Sequence, residues 1–134
     1  MLGDHPIHPV LLSTDLAQSR AFYHDQLGLQ ILRDSGEAIE FRCGLTKLVV
    51  SASTTGTADS QTQVGWEVPD LQAELDELRG RGVAIEEYDY PGLRTQDGIA
   101  DIGFAWMAWI TDPGRNSLAI MQLKEATPVA GARR

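Results

Sequence analysis

The sequence predicts an α+β fold of two βαβββ modules whose curved mixed sheets face each other. An internal repeat carries most of this prediction. Asp15-Leu16 and Asp70-Leu71 each stand between a candidate strand and a candidate helix that ends at glycine. A duplicated module of this kind is expected to give paired sheets. A second observation is the turn Asp112–Asn116, which one apolar run enters and another leaves, as in a β-hairpin.

The first module contains one helix among short strands. Asp15 is the predicted helix N-cap, Gln18 stands at the capping-box position, and Gly28 supplies the stop. Ser-Gly and Gly-Leu pairs separate the three strand candidates that follow. The predicted elements are a strand at 8–13, a helix at 16–27, and strands at 29–34, 38–43 and 47–52.

The second module repeats this order after a polar linker. Leu71, Leu75 and Leu78 recur at helical spacing and predict one buried helix face. The Gly-rich segment 89–103 is predicted to be a long loop that closes over a cleft. The predicted elements are a strand at 63–68, a helix from Leu71 that ends at Gly80 and Gly82, and strands at 84–88, 104–110 and 117–123.

Length, composition and charge limit the classes of function. The net charge of −8 argues against nucleic acid as a partner, because that affinity comes largely from Lys and Arg neutralising phosphates. No apolar run is long enough for a membrane helix, and the first residues lack the pattern of a signal peptide. With a lone cysteine, Cys43, a cytoplasmic protein without a membrane partner is expected. The 134 residues fit one domain, with module one at about 7–52, a linker at 53–61, module two at about 62–123 and a polar tail at 124–134.

The turn sequence DPGRN at 112–116 resembles the D-P-x-G-N hairpin of the vicinal oxygen chelate superfamily. That superfamily includes glyoxalase I, bleomycin-resistance proteins and extradiol dioxygenases. The stretch FYHDQLGL at 22–29 adds to the resemblance, and 88–98 is similar to a Y-x-x-P-G-x-x-T-x-D-G segment of metal-free relatives. The resemblance covers about 8–123 and implies a glyoxalase/bleomycin-resistance-like fold.

The resemblance also implies places for metal ligands, which fall here on His8, Val49, Gln63 and Ala119. His8 is a competent ligand and Gln63 a poor neutral one, whereas Val49 and Ala119 have no side-chain donor atom. Divalent Zn, Ni, Mn or Fe needs about three or more N, O or S donors from the protein. We therefore expect no bound metal and no cofactor.

Strand alternation predicts which side chains line the cleft between the sheets. Met107, Trp109 and Met121 are predicted to face it, and Trp66 and Trp106 to lie in the core against the helices. The cleft is then apolar and aromatic with a few polar groups, as in small-molecule pockets. The candidate ligand-binding residues are His8, Arg42, Gln63, Tyr90, Met107, Trp109 and Met121, and the candidate acid–base residues are His8, Glu40 and Glu67.

These observations favour a metal-independent binding protein for an apolar or aromatic small molecule, as the resemblance to bleomycin-resistance proteins implies. One alternative is a metal-dependent or metal-independent lyase, isomerase or dioxygenase-type enzyme that uses His8 and a cleft carboxylate. Another is an interaction module whose cleft is unused. A homodimer is expected in each case, because open sheet edges and an apolar concavity need to be covered.

Overall fold

The computed structural model describes residues 1–57 and 61–125. The chain forms two compact units: the first comprises Met1–Val64 and Thr111–Ser117, and the second comprises Gly65–Ile110 and the chain from Leu118 onward. The closing turn therefore belongs to the first unit. Part of the predicted linker and most of the predicted polar tail lie outside the described residues.

The first unit has the predicted βαβββ order, with a four-stranded sheet in the order β1-β4-β3-β2. Strand β1 is parallel to β4, whereas β3 is antiparallel to both of its neighbours, so the sheet is mixed. The elements are β1 (Val10–Ser13), α1 (Leu16–Arg20) with a π-helical continuation (Ala21–Gln26), β2 (Ile31–Asp34), β3 (Ala38–Cys43) and β4 (Thr46–Ala52).

Helix α1 begins where the sequence predicts it. Asp15 has extended backbone angles, and its Oδ1 accepts a hydrogen bond from the Gln18 N–H at 3.1 Å. The predicted single α-helix, however, widens to a π-helix after Arg20. The wider turn brings the consecutive residues Phe22 and Tyr23 to the buried side together, with their rings 5.1 Å apart in an edge-to-face arrangement.

The sheet of the first unit has one buried and one open face. Phe41 is fully buried, and its ring lies 5.3 Å from that of Tyr23, so this face packs against the helix. Leu11 is likewise buried, whereas its neighbours Val10 and Leu12 are 54% and 41% exposed. This alternation is that of a strand covered on one side.

The second unit carries most of a six-stranded sheet in the order β5-β10-β9-β8-β7-β6. Helix α2 begins after Asp70, whose Oδ1 accepts from the Ala73 N–H at 3.1 Å, and Leu71, Leu75 and Leu78 are buried as predicted. No described helix has the length and apolar composition needed to cross a membrane. The elements are β5 (Thr62–Glu67), α2 (Leu71–Gly80), β6 (Asp89–Tyr90), β7 (Leu93–Gln96), β8 (Ile99–Asp101), β9 (Ala105–Thr111) and β10 (Ser117–Leu123).

Two predictions for the second module are wrong. The segment 84–88 forms no regular strand, and the predicted loop 89–103 instead contains β6, β7 and β8. The reason is the Asp97-Gly98 pair, whose φ angles of 53° and 84° suit the two-residue turn that joins β7 to β8. Strand β8 then occupies the place beside β9, with Ala100 opposite Met107.

Side chains of the turn at 112–116 form hydrogen bonds with β1 and with the helix of the first unit. Asp112 Oδ2 accepts from the buried Tyr23 hydroxyl at 2.5 Å and from Asn116 Nδ2 at 2.9 Å. Asn116 Nδ2 also donates to the Leu12 carbonyl at 3.0 Å, and Asn116 Oδ1 accepts from the Thr57 hydroxyl at 2.6 Å. The buried polar groups of this turn are thereby paired with one another.

Arg115 is the residue of this turn that has a positive φ, at 69°. Gly114 is needed for space instead, because an added Cβ would lie 2.5 Å from the Leu12 carbonyl oxygen. Close approach of β1 therefore explains this glycine.

Candidate functional site

The open face of the first sheet carries most of the polar side chains of this unit that the sequence places in a site. Strand pairing sets Glu40 opposite Val49 and Arg42 opposite Lys47, so these residues share one face. Val10 is paired with Val49 and belongs to the same face. It is the face that helix α1 leaves uncovered.

A cavity of about 350 Å³ opens at one end of this face. His8, which precedes β1, and Arg42 both line it. Lys47 contributes a second cation, a residue that the sequence analysis missed. The β3–β4 hairpin at Gly44-Leu45 was the available signal, since it brings Lys47 opposite Arg42. The full lining is Pro6, Ile7, His8, Leu32, Arg42, Gly44, Leu45, Thr46 and Lys47.

Glu40 is held as a carboxylate beside this cavity. Lys47 Nζ donates to Glu40 Oε1 at 2.9 Å. This hydrogen bond is the main cause of a lowered pKa of the Glu40 carboxyl, and the charges of Lys47, Arg33 and His8 act in the same direction. An ionised carboxylate with a lowered pKa is a weak general base, so Glu40 is suited to neutralising a cation.

The residues at the metal-ligand places of the superfamily do not fit a metal ion. Val49 and Ala119 present only hydrocarbon, and the Gln63 amide Nε2 donates to the Gln61 carbonyl at 3.2 Å. Within 1–57 and 61–125, no three His, Cys, Asp or Glu side chains come together as a metal site. His8 is thus the one strong ligand type in the set.

In the second unit, the predicted cleft residues belong to an apolar cluster on one face of the sheet. Trp109 is only 8% exposed and packs with Ala100 and Ala119, while Met107 is half-buried against them. The Tyr88 ring covers Trp109 edge-on at 5.5 Å. Met121 is half-buried two residues beyond Ala119 in β10, on the same face by alternation. Trp109 and Met107 therefore share one face of this sheet.

Tyr90 marks the exposed rim of this cluster. It is 59% exposed, and its ring lies 6.0 Å from that of Tyr88. Burial raises the pKa of the Tyr88 hydroxyl, and the charge of Glu86 adds to the effect. The Tyr88 hydroxyl is therefore a neutral hydrogen-bonding group around neutral pH.

The prediction that Trp106 lies in the helix-packed core is wrong. Trp106 is 37% exposed, and Lys124 Nζ sits 4.2 Å from the centre of its ring. The same ammonium forms an ion pair with Asp101 at 2.6 Å, and Asp101 is the register partner of Trp106. Alternation places Trp106 on the other face of β9 from Trp109, and there its ring is covered by the Lys124 ammonium. Trp66, predicted to share that core, is half-buried.

The remaining candidates lie apart from the His8 cavity. Glu67, at the end of β5, lines another cavity of about 360 Å³ with Val68, Pro69, Gln122 and Leu123. Gln63 is exposed in the same strand. Of the predicted residues, His8 and Arg42 are therefore brought into one cavity, whereas Glu67 lines a different one.

Solved structures similar to this chain share its fold. The bleomycin-binding protein of Streptomyces verticillus, complexed with copper(II)-bleomycin, has a TM-score of 0.68 and 22% identity, over 90% of this chain and 97% of that one. A bleomycin resistance determinant encoded on the transposon Tn5 has a TM-score of 0.66 and 21% identity, over 90% and 99%. A lactoylglutathione lyase from Agrobacterium tumefaciens has a TM-score of 0.60 and 22% identity, over 88% and 92%.

The sequence itself decides the family. No curated protein matches the chain. The family model of the Glyoxalase/Bleomycin resistance protein/Dioxygenase superfamily, however, matches residues 5–120, which include most of both units and the closing turn. The chain belongs to the glyoxalase/bleomycin resistance protein/dioxygenase superfamily.

Proposed function

We propose that this protein binds an apolar or aromatic small molecule, non-covalently and without a metal ion. The observation that carries the proposal is the cavity beside β1, where His8 and Arg42 stand among exposed apolar side chains. Its volume of about 350 Å³ lies within the range of small-molecule pockets. The bleomycin-binding protein of similar fold supports small-molecule binding by analogy.

The chemistry of the available donors supports a metal-independent site. A metal at the superfamily position would have one imidazole and one neutral amide in its first shell, since Val49 and Ala119 supply no donor. After dialysis, elemental analysis should find far less than one equivalent of Zn, Ni, Mn or Fe per chain. Ala119→Glu alone should not create tight binding. Near one equivalent of metal in the unchanged protein would overturn this part of the proposal.

The contacts of Glu40 support binding over catalysis. Its carboxylate is bonded to Lys47 and its pKa is lowered, so it is poorly suited to abstracting a proton. Within the second unit taken by itself, Met107, Met121 and the rim residue Tyr90 are proposed as residues that could contact an apolar molecule, because each keeps some exposure beside the buried Trp109. Gln63 is proposed as a polar contact, since it is exposed in β5.

A neutral fluorescent probe tests the proposal. N-phenyl-1-naphthylamine should bind saturably, and its dissociation constant should be the same with and without EDTA. Leu32→Asp places a charge at a half-exposed apolar side chain of the cavity and should weaken binding about tenfold or more. Phe104→Asp, at a 64% exposed residue of the second unit, is the matched control and should leave affinity unchanged. Absence of saturable binding, or binding that requires a metal, would refute the proposal.

We also propose that the protein is a homodimer. The open face of the first sheet leaves Val10 and Leu12 exposed, and exposed apolar side chains on a sheet favour association. Sedimentation velocity at micromolar concentration should therefore give the mass of two chains. A single species with the mass of one chain would contradict it.

A further inference from the structure

We infer that the cavity beside β1 takes an organic anion: a molecule with an apolar or aromatic body and one acidic group. The inference rests on the proposed function and adds the charge of the ligand to it. Arg42 would bind the acidic group, whereas the exposed apolar side chains of the cavity would cover the body. Three features of the first unit lead to this conclusion.

The first feature is an uncompensated guanidinium. Among residues 1–57 and 61–125, the carboxylates that form ion pairs are all engaged by cations other than Arg42. Arg42 stands directly opposite Lys47 on the neighbouring strand, and both line the cavity. Like charges opposite each other destabilise a sheet. An anion bound at this pair would turn that repulsion into two attractive contacts.

The second feature is the local balance of charge. Glu40 is the acidic group of this face, and its carboxylate is already bonded to Lys47. Arg33, the register partner of Glu40, adds a further cation, and His8 lines the cavity. Three of the eleven Lys and Arg residues thus gather here, although the whole chain carries a charge of −8. At physiological salt, the negative charges elsewhere on the chain are screened beyond about 8 Å. A small anion is therefore attracted to this cavity, whereas a long polyanion would also meet those charges and be repelled.

The third feature is an apolar rim around the same cavity. Ile7, Leu32 and Leu45 line it and are 90%, 44% and 105% exposed. Exposed apolar side chains that cluster beside a guanidinium are typical of a ligand-binding surface rather than of a surface that faces only water. An apolar or aromatic ligand body would remove them from water, and the reduced local dielectric would strengthen the contact between Arg42 and the acidic group. The combination is complementary to an aryl or alkyl carboxylate, sulfonate or phosphate.

A matched pair of dyes tests the inference. The anionic probe 8-anilinonaphthalene-1-sulfonate differs from N-phenyl-1-naphthylamine by its sulfonate alone. Arg42→Gln should weaken binding of the anionic dye about tenfold and leave the neutral dye unchanged. Added salt should also weaken the anionic dye alone. Arg94→Gln is the control, since Arg94 is an exposed arginine of the second unit that pairs with Asp89; it should change neither dye.

The outcomes separate this inference from the proposed function. If the unchanged protein binds neither dye, the proposed function fails and the inference with it. If both dyes bind and Arg42→Gln weakens neither, or weakens both equally, the anion site is refuted while small-molecule binding stands. Arg42 is exposed and its replacement removes a repulsion with Lys47, so the melting temperature of Arg42→Gln should not fall below that of the unchanged protein. Arg42→Lys should restore part of the anionic affinity, because it keeps the charge but loses the planar fork.

Discussion

The hydroxyl of Tyr23 donates to Asp112 Oδ2 at 2.5 Å across 89 residues of sequence, and both side chains are buried. The contact joins the helix of the first unit to the closing turn. Asn116 Nδ2 donates to the same Asp112 oxygen and to the Leu12 carbonyl, so the pair belongs to a hydrogen-bond network that includes the first strand. Polar networks of this kind are costly to leave half-satisfied.

Removing the hydroxyl should therefore destabilise the protein. Tyr23→Phe keeps the ring and its contact with Phe41 but leaves Asp112 with one buried donor fewer. The free energy of unfolding should fall by about 1–3 kcal/mol, measured by urea denaturation. Tyr90→Phe, at an exposed tyrosine, should change it by less than about 0.5 kcal/mol. Equal effects of the two substitutions would refute a structural role for the contact.

Alkaline pH should weaken the same network. Burial, with the charge of Asp112 and its hydrogen bond, raises the pKa of the Tyr23 hydroxyl above its ordinary value. The unfolded chain loses this proton near pH 10 whereas the folded chain keeps it, so the unfolded state then binds fewer protons and stability falls as the pH rises further. The contribution is complete below about pH 10. Urea denaturation between pH 8 and 11 should show a shallower fall in Tyr23→Phe than in Tyr90→Phe.

Two glycine substitutions should have opposite effects. Gly114→Ala would set a Cβ 2.5 Å from the Leu12 carbonyl oxygen and 3.0 Å from Asn116 Nδ2, so it should cost about 1–3 kcal/mol of stability. Gly80→Ala, at the end of α2, meets nothing within 4 Å and should stabilise by about 0.5–1 kcal/mol. Thermal unfolding followed by circular dichroism would order the three proteins. A neutral Gly114→Ala would contradict the close approach.

The tryptophans of β9 should differ in stability and in access to a quencher. Trp109→Ala should cost about 3–5 kcal/mol, because it empties a packed apolar cluster. Trp106→Ala should cost about 1–2 kcal/mol, since it removes a partly exposed ring and its contact with Lys124. Acrylamide should quench the Trp109→Phe protein more than the Trp106→Phe protein, which has lost the more exposed ring of the two. The reverse order would invert the face assignment.

Local signals made the helices and most of the strands predictable. Asp15 and Asp70 are N-caps whose side chains bond to nearby N–H groups, and the closing strand Ser117–Leu123 is apolar enough to be read directly. The Asp97-Gly98 turn was a local signal too, but the surrounding glycines and polar residues outweighed it in the prediction of a loop. The π-helical turn at 21–26 depends on the tertiary burial of neighbouring aromatic rings. No local sequence pattern predicts that burial.

The site was less predictable than the fold because it depends on register. Arg42 was a candidate from the sequence alone, yet Lys47 became its neighbour only through the pairing of β3 with β4. Trp106 was assigned to the core by the same alternation, which gives the face of a strand but says nothing of what covers it. Lys124, beyond the end of β10, covers that ring, and its approach is set by tertiary structure.

The first unit is completed by a short peptide from far along the chain, Thr111–Ser117. A cleavage in the linker would leave the N-terminal fragment without Asp112 and Asn116, so Tyr23 and the Leu12 carbonyl would lose their partners. The repeat in the sequence is therefore not a pair of interchangeable, self-sufficient halves. The N-terminal fragment made by such a cut would be incomplete until it met the C-terminal fragment, which carries Thr111–Ser117, so the two fragments are candidates for split-protein complementation.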